Sequence, residues 1–283
     1  MGGMGMDGFW AWPAVYQGAV FGAIGGLVGG LIGGLLRRRP GHANDKSAST
    51  VITIICVCIA IFMGNGIATP HRQAADIDAA IQTLKTHKVY AALFKYHPDS
   101  ETALRAKLSD IVHTTPAAQL QAPVSAAISQ SLSHYLFKDI LYAPDSAIRL
   151  LIDDNLIMQT KLQSHPDDCV TYFLGNPPHD QSLITAQDVT REGDAKAAVI
   201  EGAAIHPSPP PVHPDVTALF MQIAKGFKAK GYDPNDLRLL GRLTGIPRTD
   251  GCRVAVEYIT VLDAMPDAQA STILKAFDEA AGN

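Results

Sequence analysis

Four cysteines, ten histidines and two pairs of adjacent aspartates are the residues of this sequence with the most to offer chemically. Cys56 and Cys58 lie in an apolar run and read as small packing residues. Cys169 and Cys252 remain, and in an oxidising compartment an isolated pair is most simply a disulfide. At helical spacing Cys169 shares a face with Tyr172 and Phe173, and Cys252 with Ala255, Val256 and Ile259, so both sulfurs are expected to point inward. Chain entropy makes such a bridge worth roughly 4 to 5 kcal/mol. The competing chemistry is a reactive thiol activated at a helix start.

The histidines give less. His97, His165, His206 and His213 each precede proline, which places them in turns or extended loops, and no pair has the helix-supported spacing of a zinc site. Only His206 and His213, on either side of a proline run, could meet a metal opportunistically; no metal and no cofactor is expected. Asp153-Asp154 and Asp167-Asp168 are neighbours in sequence, but helical neighbours point about 100° apart and do not converge on one substrate. The second pair reads as a helix cap that favours the dipole. There is no His-Glu-x-x-His, no Gly-x-Ser-x-Gly, no Ser-x-x-Lys and no phosphate loop ending in Gly-Lys-Ser/Thr. These absences argue against the commonest hydrolases, although a triad scattered along the chain leaves no local trace.

The elements that must position these residues divide sharply by charge. No charged residue occurs between Gly8 and Leu36, and none from Val51 to Ala68. The core of the first run, Gly18 to Leu36, spans roughly 28 Å as a helix, the thickness of a bilayer's hydrocarbon. Trp10, Trp12 and Tyr16 precede it, where amphipathic rings favour the membrane interface. Two spans, about 14–36 and 50–66, thus make residues 1–68 a transmembrane hairpin joined by a loop at 37–49.

Gly18, Gly22, Gly26, Gly30 and Gly34 recur every four residues in the first span, with Gly25, Gly29 and Gly33 as a second row on the same face. A face without side chains lets another helix backbone approach closely, which lipid cannot match. The stretch resembles the glycine-zipper spans of several bacterial membrane proteins. That likeness implies a packing mode, with the second span or another copy of the chain as the partner.

Orientation comes from the connecting loop, where Arg37, Arg38, Arg39 and Lys46 stand against Asp45 alone. The positive-inside rule puts this loop in the cytoplasm and both termini across the membrane. In a bacterium that is the inner membrane with a periplasmic domain; residues 69–283 contain no Asn-x-Ser/Thr acceptor, which is compatible with that setting. Gly66-Ile67-Ala68 also fits a signal-peptide cleavage site after Ala68, which would release the domain but still export it.

From Thr69 onward the chain carries 25 acidic and 19 basic residues, a net charge of −6. Phosphate binding rests on Lys and Arg, so nucleic acid is set aside as a partner. Apolar residues recur at helical spacing in Ile77, Ile81 and Leu84; in Leu104, Leu108, Ile111 and Val112; and in Val216, Leu219, Phe220, Ile223 and Phe227. Pro98-Asp99-Ser100-Glu101, Pro144-Asp145-Ser146 and His165-Pro166-Asp167-Asp168 read as helix starts. The expected fold is mostly all-α, with seven to nine helices after the hairpin; Arg253 to Leu262, rich in β-branched residues, suits a strand as well. Residues 206–214, with five prolines, cannot be helical and read as a stiff connector between a first part, 69–205, and a second part, 215–283, packed on it.

Lys225, Lys228 and Lys230 fall near the end of a helix finished by Gly231, with Arg238, Arg242, Arg248 and Arg253 beyond it. Cations suit a helix C-terminus. Within an acidic domain the stretch is also where anionic lipid headgroups or an acidic protein would be met. These features together lead to the expectation of a membrane-anchored, exported helical interaction or scaffold protein of the bacterial envelope, without chemistry of its own. Its partners would be the bilayer and either another protein or a second copy bound through the glycine-rich span. Two alternatives stand beside it: an exported enzyme acting on cell-envelope material, and a secreted factor whose hairpin inserts into a foreign membrane.

Overall fold

The computed structural model describes residues 70–116, 119–175, 178–208 and 215–282. The two apolar runs, the glycine rows, Arg37, Arg38, Arg39 and Lys46, the Ala68 cleavage position, and most of the proline connector lie outside the described residues. Among the described residues there are ten α-helices and no strand. In chain order they are α1 (Pro70–Lys85), α2 (Lys88–Tyr96), α3 (Pro98–Thr114), α4 (Gln121–Tyr142), α5 (Asp145–Leu162), α6 (Pro166–Phe173), α7 (Ala186–Ile205), α8 (Val216–Ala229), α9 (Arg248–Asp263) and α10 (Asp267–Gly282). A 3₁₀ segment, Pro234–Arg242, joins α8 to α9, and a short one at Gln181–Leu183 precedes α7. No helix among the described residues is long and apolar enough to cross a membrane.

α7 is the central helix, packing against α2, α4 and α5. Its buried residues include Ala195, Ala197, Val199 and Ile200, small enough to admit several neighbours closely. Near its end Gly202 meets Pro144; a Cβ there would lie 2.6 Å from the proline ring. α5 then carries α6, α9 and α10, and α9 carries α8 and the 3₁₀ segment, while α1 packs on α2 and α3 at the other flank. One apolar core runs through these helices, with Leu93, Leu108, Leu136, Ile148, Met158, Ile200, Phe227 and Leu262 each fully buried. Each such side chain contributes about 1.5–3 kcal/mol.

Residues after the proline connector are held to those before it by polar contacts as well. Arg149 of α5 donates Nη1 to the Asp263 carbonyl at 2.8 Å and Nη2 to the Met265 carbonyl at 2.5 Å, and its Nε bonds Asp267 at 2.8 Å. A guanidinium thus satisfies the free carbonyls at the end of α9.

The ambiguous run at Arg253–Leu262 is helical throughout, inside α9. Val254, Ala255, Tyr258, Ile259, Val261 and Leu262 are buried there, and that burial outweighs the β-branched preference. The helix starts also act differently from expectation. His97, Pro144 and His165 occupy the N-cap positions of α3, α5 and α6 without a side-chain cap, and the acidic residues sit inside the first turn, where they complement the dipole. Side-chain caps come from Thr185, Asp215 and Asp233 instead.

Candidate functional site

Where α5 and α7 meet, the interface is ionic. Asp154, Asp188, Glu192 and Lys196 are each no more than 5% exposed. Thr185 and Asp188 cap each other's backbone at the start of α7, and the same Asp188 carboxylate accepts from Lys161 of α5 and lies 3.1 Å from Arg191. Arg191 Nε donates to Asp154 Oδ1 at 2.7 Å, and one turn further along α7 Lys196 pairs with Glu192. Burial alone would raise the Asp188 carboxyl, but hydrogen bonds from Lys161 and Thr185 bring it down to about 2. Burial pushes Glu192 up to about 8, against the pull of the Lys196 ammonium. Burial likewise raises Asp154 against the pull of Arg191.

Tyr172 of α6 lies beside this network, 1% exposed, its hydroxyl held well above its ordinary pKa by burial and by the nearby Glu192 and Asp154. The Tyr172 hydroxyl and Asp154 Oδ2 have no hydrogen-bond partner among the described residues. Lys161 and Arg191 are partly exposed, and Thr185 is exposed. The arrangement joins α5 to α7 through Lys161–Asp188 and Arg191–Asp154, with Tyr172 of α6 packed beside it.

A second polar group lies at the surface, where the α2–α3 junction meets α4. His97 Nε2 donates to Asp139 Oδ2 at 2.7 Å, and the Tyr135 hydroxyl donates to Asp99 at 2.6 Å. The His97 and Tyr135 rings are 4.7 Å apart, and Lys138 and His134 approach to 3.0 Å. Asp139 is buried and raised by desolvation, whereas the Tyr135 phenol is pushed up to about 12 by its bond to Asp99. A carboxylate that fixes an imidazole is the orienting half of a general base. Here it also pins the α2–α3 corner to α4.

Cys169 of α6 and Cys252 of α9 lie at disulfide distance, S–S 2.01 Å with Cα atoms 5.5 Å apart, across 83 residues of sequence. Both are buried, among Val170, Tyr172, Phe173 and Val254. Gln159 Oε1 stands 3.2 Å from Cys169 Sγ. A bridged sulfur carries no hydrogen, so in the closed bridge the amide must turn its nitrogen to face it. Above the pair, Arg248 of α9 reaches Asp167 of α6 at 3.5 Å, and Asp168 accepts from the His179 backbone at 2.5 Å. Asp168 therefore fixes the loop after α6, a role its place beside Asp167 does not suggest.

The basic stretch divides in two. Arg253 pairs with Asp236 and Glu257, and Arg248 with Asp167. Lys225, Lys228, Lys230, Arg238 and Arg242 are all exposed and have no ion-pair partner among the described residues. The described residues contain no group of three or more His, Cys, Asp or Glu side chains gathered at metal spacing. His213 lies outside them, and His206 is exposed.

Sequence reasoning missed the ionic interface of α5 and α7. Its signal is there in Arg191-Glu192 and Lys196, charges set where a helical stripe demands apolar residues. The chain matches no protein-family profile, no curated protein and no solved structure.

Proposed function

We propose that the chain is a membrane-anchored, exported helical interaction protein of a bacterial envelope, without chemistry of its own. The observation that carries this reading is the cysteine pair: two buried sulfurs join parts of the chain 83 residues apart, on either side of the proline connector. Such bridges form and persist in oxidising compartments and are rare in the cytosol. The charge-free runs before residue 69 and the cationic loop between them support anchoring and export of the helical domain. The ion pairs Lys161–Asp188 and Arg191–Asp154 support a structural part, because each ties α5 to α7.

Limited proteolysis of spheroplasts tests the reading. Protease added outside should degrade the domain, and without protease the chain should stay with the membrane fraction after alkaline extraction. Resistance in intact spheroplasts with degradation only after lysis would overturn export, and release by alkali would overturn anchoring.

The His97–Asp139 pair favours the enzyme alternative, since an oriented imidazole at the surface is what general-base chemistry requires. If it serves catalysis, His97→Gln would abolish hydrolysis of envelope material at an unchanged melting temperature. A purely structural pair would lose stability instead.

A further inference from the structure

On α8 the buried stripe is Leu219, Ile223 and Phe227. At 100° per residue the opposite side of the helix carries Met221, Lys225 and Lys228, at i, i+4 and i+7. Met221 is 61% exposed, the highest value among the exposed large apolar side chains. Its neighbours on that stripe are cations without ion-pair partners among the described residues, and Lys230, Arg238 and Arg242 extend the charge around the end of α8 and into the adjoining 3₁₀ segment. α8 is set firmly: Gly226 brings it so close to α9 that a Cβ would lie 2.5 Å from Val261, and Gln269 of α10 bonds Gln222 at 3.1 Å.

We propose that the outer face of α8, with Met221 at its centre and Lys225 and Lys228 beside it, rests on anionic phospholipid headgroups of the membrane that anchors the chain. The proposal deepens the anchored reading and rests on it. Met221 between the lysines adds an apolar contact to the charge. A lipid surface also takes up a thioether between lysines, whose stems lie along the apolar boundary while the ammonium groups reach phosphate. The domain is acidic overall, so an anionic bilayer favours the orientation that presents this cationic face. Screening over about 8–10 Å leaves the cations at the surface effective while acidic groups on the far side go unfelt.

The test uses the full chain reconstituted into vesicles of phosphatidylcholine alone and of phosphatidylcholine mixed with phosphatidylglycerol. The readout is the rate at which dilute peroxide converts Met221 to the sulfoxide, with buried Met158 as internal reference. The expected result is oxidation about fivefold slower in the anionic vesicles, restored by high salt and by Lys225→Glu/Lys228→Glu. Incorporation into both vesicles with equal Met221 rates overturns the lipid contact and leaves anchoring intact. Failure to incorporate into either overturns anchoring, and the contact with it. Protection by added polyglutamate, with none from anionic lipid, assigns the face to an acidic protein and overturns the proposal.

Discussion

Glu192 sets the clearest residue-scale expectation. Its carboxyl has an ordinary pKa of 4.5 and stands at about 8 in the fold because it is buried. A raised pKa means that the stability Glu192 contributes is complete below 4.5 and is lost as pH climbs toward 8. The slope reaches at most about 1.4 kcal/mol per pH unit. Asp188 runs the other way: its pKa falls from 3.8 to about 2, so its contribution is present above 3.8 and disappears as pH drops through 2. Denaturant titration across pH should therefore show a maximum near mildly acidic pH, and Glu192→Gln should flatten the alkaline limb; an unchanged limb would mean that other groups carry it. Asp154→Ala leaves Arg191 without its partner on α5 but still beside Asp188, at an expected cost of about 1.5–3 kcal/mol. Asp154→Ala/Arg191→Ala should cost less than the sum of the single changes, which a double-mutant cycle measures. Little of this network is legible in the sequence. Asp153 and Asp154 read as a pair pointing apart, which holds, but which of them meets α7 depends on the rotation of α5 in the fold.

Helices are far more legible. Ile77, Ile81, Leu84, Leu104, Leu108, Leu219, Ile223 and Phe227 read as inward by spacing and are buried, while Ile111, Val112 and Phe220 of the same sets are partly buried. The proline-marked starts at Pro98, Asp145 and Pro166 open α3, α5 and α6. Among the described residues ten helices stand where the apolar pattern predicts seven to nine. Two glycines give opposite expectations at this scale. A Cβ on Gly193 in α7 meets nothing within 4 Å, so Gly193→Ala should stabilise by about 0.5–1 kcal/mol through helix propensity. Gly226→Ala drives a methyl into Val261 and should cost about 1–2 kcal/mol net, because overpacking exceeds the propensity gain. Melting curves that shift the same way for both would contradict the close approach of α8 to α9.

For the whole molecule the sequence implies a covalent link between two helical parts, and the fold brings Cys169 and Cys252 to bonding distance beneath the Arg248–Asp167 contact. Spacing can place both sulfurs on inward faces but not opposite each other, because that depends on how α9 settles against α6. Closing a loop of 83 residues removes roughly 4 to 5 kcal/mol of freedom from the unfolded chain. Export and oxidation therefore stand or fall together, and thiol labelling in intact cells tests them most directly. The measurement applies a membrane-impermeant reagent to a variant with Cys56 and Cys58 replaced, before and after reduction and unfolding. The account predicts no labelling of Cys169 or Cys252 in the native oxidised protein and full labelling once the bridge is reduced and the fold opened. Free thiols that react only after the inner membrane is breached would contradict it, placing the domain in the cytoplasm.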